Sequence, residues 1–181
     1  MLVETDPTVA TFCEQPLRVQ VGSHHSILDM WVKKTDGAEY FAEVKYQRDL
    51  IPTSSKSYER VARQIATQRE WCTVNEWGYQ LMTDHEIRSN ALFLKNMKTL
   101  LPYLRSYRDM SELDELRTRK CLQGGPTTLG ELLKQLGPRA LEVIAHLYMA
   151  GKIHCEFERQ SINHQLGVRW HESKSYENGF V

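Results

Sequence analysis

Three residues within one short stretch carry the chemistry that can be read from this chain. They are Asp29, Glu43 and Lys45, inside HHSILDMWVKKTDGAEYFAEVKYQR, residues 24–48. Two carboxylates offer hard oxygen ligands, which suit Mg2+ or Mn2+ rather than zinc. With an ammonium beside them they suit a metal-dependent phosphodiesterase. The bare pattern also has a plain reading, in which Glu43 and Lys45 form a surface pair worth well under ~1 kcal/mol. What separates the two readings is whether the chain folds so as to bring the three side chains together.

The surrounding pattern predicts that it does. Ser26–Val32 is almost continuously apolar, as a strand buried on both faces would be, with Asp29 inside it. Burying an unpaired carboxylate is unfavourable, so Asp29 there needs a partner. Thr35-Asp36-Gly37 carries the Asp-Gly turn signal. In the strand that follows, alternation puts Glu43 and Lys45 on one face and Ala42 and Val44 on the other. The stretch thus reads as a two-stranded hairpin.

The elements around it are legible in order. Residues 1–7 resemble the last turn of a helix stopped by Pro7, and Val9–Val21 reads as a strand interrupted near Gln15-Pro16. After the loop Ile51–Ser55, a helix is expected from Tyr58 to Cys72, with Val61, Ala62 and Ile65 on one face and Arg60, Arg63 and Gln64 around it. Gly78–Met82 is a short strand. Thr83-x-x-Glu86 is a capping box, opening a helix to about Met97, with a shorter helix over Thr99–Tyr107. This order predicts an α/β domain over residues 1–108, a mixed sheet flanked by helices. Asp109–Lys120 is a charged helix, so residues 109–122 form a helical linker.

Beyond Gln123-Gly124-Gly125-Pro126 the pattern changes. Thr128-x-x-Glu131 is a second capping box, opening Leu129–Leu136, and Pro138 suits the first position of another helix. That helix is largely apolar and closes at Gly151, a left-handed cap. Ile153–Phe157 and Gln165–Trp170 pair as a hairpin. Helix, turn, helix, hairpin is the winged-helix plan, expected over residues 123–172 with a tail at 173–181.

Composition bounds the function from outside. A hydrophobic fraction of 41% with 25% charged residues is that of a folded protein, and the zero net charge gives no global sign of a nucleic-acid partner. The distribution is less even. Residues 45–69 hold six Lys/Arg against two acids, and residues 88–108 hold five with none. These are either a basic face for a phosphate backbone or solvated helix faces. Four scattered cysteines make no C-x-x-C, so neither a zinc site nor a disulfide framework is implied, and a reducing cytoplasm fits. No apolar run reaches the roughly 18 residues of a membrane span, and no signal-peptide pattern occurs. His24-His25 reads as surface at a strand entrance, and His154-Cys155 as strand rather than a nucleophile and its base. Gly124-Gly125-Pro126 has neither the lysine nor the spacing of a phosphate loop.

Taken together, these motifs resemble TnsA, the endonuclease subunit of heteromeric cut-and-paste bacterial transposases. The likeness runs through Leu2–Val9 and Phe12-Cys13-Glu14-Gln15-Pro16, then Asp29 in ILDMWV and Glu43-Val44-Lys45. It continues in the strand Gly78–Thr83 leading into Asp84-His85-Glu86-Ile87, Asn96, and the region from about 123. The resemblance implies a restriction-endonuclease-like fold of the PD-(D/E)xK type. Asp29 and Glu43 would hold Mg2+, or Mn2+ in its place, helped by the backbone carbonyl of Val44, and Lys45 would position or activate the attacking water. It further implies double-stranded DNA at transposon ends, with cutting of the 5′ ends. A TnsB-like DDE transposase would act on the 3′ ends, and a TnsC-like AAA+ regulator would bind the C-terminal part. Family members carry one more acid, on a helix upstream of the point where this sequence starts. Glu4 matches the end of that helix and Glu14 a residue before a strand. Two alternatives stand beside this reading, a non-catalytic DNA- or protein-binding relative and a stand-alone nuclease of the same fold.

Overall fold

The computed structural model describes residues 3–105 and 110–171. The tail 173–181, the boundary expected at 108/109, and the ends of the helices expected at Tyr107 and Asp109 lie outside the described residues. Contacts divide the chain into two compact units, one over Leu2–Asn90 and the other from Ala91 onward.

In the first unit the Asp-Gly turn does what its residues predict. Gly37 sits at φ +90, Lys34 N–H donates to Ala38 O at 2.8 Å, and Ala38 N–H donates to Asp36 Oδ1 at 2.9 Å. It joins β4 (Met30–Lys34) to β5 (Glu39–Lys45), paired from Lys33↔Glu39 to Met30↔Ala42. β1 (Val9–Glu14) flanks β4 antiparallel, and β6 (Gly78–Thr83) lies parallel to β5. The mixed sheet therefore has the order β1-β4-β5-β6. A side chain at Gly78 would put a Cβ 2.9 Å from that of Tyr40, so glycine lets β6 approach β5.

The hairpin expected over His24–Arg48 needs one correction. Its first strand is broken. β3 (His24–Ile27) pairs with β2 (Arg18–Val21) as a separate two-stranded ribbon, and only β4 pairs with β5. The same break interrupts the neighbouring segment between β1 and β2. Pro16 has no N–H to give to a ladder, and Gln15 adopts φ +46 while donating its N–H to Asp29 O at 2.8 Å. Ser26–Val32 is accordingly not buried on both faces, since Ile27 is 49% exposed beside the buried Ser26 and Leu28.

The parallel β5–β6 pair is connected by α1 (Lys56–Val74), which starts under the Ser55 N-cap and ends in a turn with Glu76 at φ +60. Its buried face is not the one that apolar periodicity marks. Val61, Thr67, Gln68 and Cys72 are buried, while Ile65 is only partly so. Trp71 and Trp77, either side of the helix end, pack edge-on to Phe41 at 5.9 and 5.4 Å. The Thr83 capping box forms as expected, but its helix α2 (Asp84–Arg88) ends early.

The next helix, α3 (Ala91–Arg105), runs unbroken through Pro102 where two helices were expected. Continuing it places Met97, Leu100 and Leu104 against the core of the second unit, an i, i+3, i+7 series. That burial outweighs the one hydrogen bond lost at proline. The helix thus belongs to the second unit. So does α4 (Glu112–Leu122), expected as a linker: it buries Thr118 and Leu122, and its Glu115 accepts from Lys152 at 2.6 Å. After β7 (Thr127–Thr128) come α5 (Leu129–Leu136), a tight turn holding Pro138, and α6 (Ala140–Met149). Gly151 closes α6 at φ +66. β8 (Ile153–Cys155) and β9 (Gly167–Trp170) pair antiparallel, and β7 adds to β9. The unit thus runs helix, helix, strand, helix, helix, hairpin.

Candidate active site

The break between β3 and β4 is what makes the site. Leu28 is fully buried and its N–H donates to Leu17 O at 3.2 Å, which anchors the chain just before Asp29. Asp29 then lies at the junction of ribbon and sheet, half-buried, with Oδ2 accepting from Val44 N–H at 3.0 Å. That bond ties the first carboxylate to the backbone of the Glu43-Val44-Lys45 triplet. Among the described residues its other oxygen has no protein partner.

Strand alternation sends Glu43 inward. Its side chain is 0% exposed and both oxygens are occupied. Lys45 Nζ donates to Oε1 at 2.5 Å, Gln64 Nε2 to Oε1 at 2.9 Å and Gln68 Nε2 to Oε2 at 2.8 Å. Burial pushes the Glu43 carboxyl above its ordinary value. The bond from Lys45 pulls against this and the nearby Asp29 charge adds to it. Lys45 itself is 15% exposed and Val44 points outward at 37%. Glu43 and Lys45 therefore pair directly, and Asp29 reaches the same triplet through the Val44 backbone, its charge near enough to repel that of Glu43.

Gln64 and Gln68 are the residues that periodicity missed. They stand one turn apart on α1, in line with Val61 and Cys72, so the face of the helix that looks apolar at its ends carries two amides in the middle. Gln68 is the hub. Its amide nitrogen lies within reach of Ser26 Oγ (2.9 Å), Ile27 O (3.0 Å) and Glu43, and its oxygen accepts from Tyr79 at 2.9 Å. Burial, and then the Glu43 charge, hold the Tyr79 phenol above its ordinary value, so it remains a donor. The signal was present in the sequence as two glutamines spaced i, i+4, but glutamine is as common on solvated helix faces as on buried ones.

A divalent ion fits this donor set in kind. Asp29 and Glu43 supply carboxylate oxygens and Val44 a carbonyl, which are hard ligands. No group of three or more His, Cys, Asp or Glu gathers among the described residues. Two carboxylates suffice for Mg2+, which keeps several waters and takes others of its ligands from substrate phosphate. Glu14, at the exposed end of β1, and Glu4, in a short turn over Val3–Thr5, do not join the pair.

The sequence of this site matches a known family. Residues 6–84 fit the model of the TnsA-like endonuclease N-terminal domain. Over those residues the first unit is similar to a TnsA-like endonuclease domain. Its mixed sheet flanked by helices is consistent with the restriction-endonuclease-like fold that the resemblance implied. A search of curated proteins finds no match to the chain.

Other candidate residues fall away on geometry. Cys155 is buried and its thiol is pushed up to about 12, while His154 faces outward, so the pair makes no nucleophile and base. Tyr148 packs edge-on to the buried Phe157 at 4.9 Å as part of the core. No helix among the described residues is long and apolar enough to cross a membrane.

Proposed function

We propose that this chain is the Mg2+-dependent endonuclease subunit of a cut-and-paste transposase, cutting the 5′ ends of an element in duplex DNA. It would act with a TnsB-like DDE transposase and a TnsC-like AAA+ regulator. The observation that carries the reading is the convergence of Asp29, Glu43 and Lys45 in a TnsA-like domain.

Asp29, Glu43 and the Val44 carbonyl would hold the ion, with Mn2+ able to substitute. When bound there, the ion supplies Lewis-acid stabilisation of charge on the phosphate. The protein's part is orientation. The Val44 N–H fixes the Asp29 carboxylate, while Gln64 and Gln68 fix Glu43. Lys45 is left at the edge of solvent, where its ammonium can orient the attacking water and balance negative charge as the P–O bond breaks.

The second unit supports the partner assignment. We read its elements from α4 to β9 as a winged helix, in which α6 is a poor reader of base edges. Arg139 at its start is held by Glu142 (3.3 Å) and Asp114 (3.2 Å), and the helix buries Ala140, Val143, Ile144, Ala145 and Leu147. We therefore assign this unit to protein contact with the regulator.

The test combines the chain, the partner transposase and transposon-end DNA, and follows nicks on the 5′ strands. Asp29→Ala or Lys45→Ala should lower cutting by about 100-fold or more. Undiminished cutting by either variant would remove the assigned roles. A second reading, a non-catalytic subunit of the same fold, is favoured by the occupancy of both Glu43 oxygens. Mn2+ titration separates the two, since binding that disappears in both Asp29→Ala and Glu43→Ala excludes it.

A further inference from the structure

Beside Asp29 the ribbon β2–β3 and the helix α1 enclose an open cleft of about 730 Å3. Its lining is unusual in charge. Arg18 comes from the ribbon, Arg60 and Arg63 from the helix, with His24 and His25 at the mouth, and Asp29 is the only acid. Among the described residues none of the three arginines makes an ion pair or a side-chain hydrogen bond. Some basic side chains elsewhere find acids, as Lys33 does with Glu39 at 2.8 Å and Lys152 with Glu115 at 2.6 Å. Three exposed guanidinium groups converging on one concavity that holds a single carboxylate leave an excess of positive charge, which calls for a polyanion.

The lining also says what kind. No Phe, Tyr or Trp faces the cleft, so it offers no platform for the unstacked bases of a single strand. Arg60 and Arg63 lie a helical turn apart and Arg18 stands on the facing element, an arrangement that follows a backbone rather than one base edge. We propose that the cleft seats the phosphodiester backbone of duplex DNA. Arg18, Arg60 and Arg63 each take a phosphate, and Asp29 marks where that track meets the cutting centre. The proposal rests on the nuclease reading above, to which it adds the residues that hold the substrate.

The test is binding of the full chain to a random-sequence duplex, followed by fluorescence anisotropy in EDTA across a range of salt. Removing a phosphate contact should lower the slope of log K against log salt by about 1, so R60Q/R63Q should lower it by about 2. Affinity should fall roughly tenfold or more near 0.1 M salt. Arg18→Gln alone should lower the slope by about 1, while Lys33→Gln, a charge lost outside the cleft, should leave it unchanged. Circular dichroism of each variant checks that it is folded. Wild-type affinity and slope in R60Q/R63Q would overturn the proposal, as would an equal loss in Lys33→Gln, tighter binding of single strands than duplex, or no salt-dependent binding at all. Because EDTA prevents cutting, the salt slope reads the cleft alone, whereas 5′-strand cutting in Mg2+ by Asp29→Ala reads the nuclease roles. Loss of the nuclease reading and loss of the cleft are thus seen in different measurements.

Discussion

The first unit buries Glu43 and the second buries Asn96, and the two polar side chains are satisfied by different kinds of partner. Asn96 is held by backbone. Its amide donates to Phe157 O at 2.8 Å and Gln160 O at 2.7 Å, and its oxygen accepts from Ile162 N–H at 3.2 Å. Glu43 is held by side chains alone, Lys45, Gln64 and Gln68. Backbone partners cannot be exchanged without moving the chain, so Asn96 is a brace across the loop from Phe157 to Ile162. Side-chain partners can turn toward a ligand, so Glu43 sits in a device that can be reset. The cores around them match. Asn96 lies beside a large apolar cluster from Met97 to Val168, whereas the buried apolar cluster of the first unit is Val19, Leu28, Phe41 and Cys72. The first unit has given interior space to a polar network, as sites commonly do at the expense of stability.

Substituting each residue is the strongest way to break that contrast. Glu43→Gln should lower 5′-strand cutting by about 100-fold or more, because a neutral amide is a poor ligand and no longer balances Lys45. Stability should move by no more than about 1 kcal/mol, since relief of a buried charge offsets the loss of one acceptor. Chemical denaturation beside the cutting assay reads both. Asn96→Ala should do the opposite. It strands two carbonyls and one N–H in the interior, and should destabilise the second unit by about 3 kcal/mol. If Glu43→Gln unfolded the protein while Asn96→Ala was harmless, the roles of site and brace would have to be exchanged.

How far the sequence goes follows from the same contrast. Features set by a few adjacent residues were readable: the Thr35-Asp36-Gly37 turn, the Thr83 capping box, Gly151 at the end of α6, and the Glu43-x-Lys45 alternation. Features set by distant partners were not. The run Ser26–Val32 hid a bend because the break is imposed by Gln15 and Pro16 on the neighbouring strand. The half-buried Gln64 and the buried Gln68 were invisible as inward-facing residues because their placement depends on a carboxylate from β5. The helix through Pro102 was read as two, divided after Met97, because the burial that holds it in one piece lies in a core formed largely by residues after 120. Arg60 and Arg63 sat in a basic stretch that read equally well as solvent-facing, and only the fold sets them across a cleft from Arg18, which lies outside that stretch.

The smallest expected effect sharpens the comparison on the side of Glu43. In the metal-free protein, burial holds this carboxyl above its ordinary value of 4.5. In the window between the ordinary and the raised value, the folded chain keeps a proton that the unfolded chain has released. The folded state then binds more protons, so unfolding free energy falls as pH rises through the window and is flat above it. Urea midpoints measured in EDTA from about pH 4 upward should show this fall in wild type relative to Glu43→Gln, which has no proton to lose there. Asn96→Ala should keep the same slope on a lower baseline, since Asn96 carries no titrating group. A wild type that gained stability over Glu43→Gln with rising pH would mean that Lys45 and the glutamines outweigh burial. Glu43 would then be a satisfied structural charge, a brace of the same kind as Asn96.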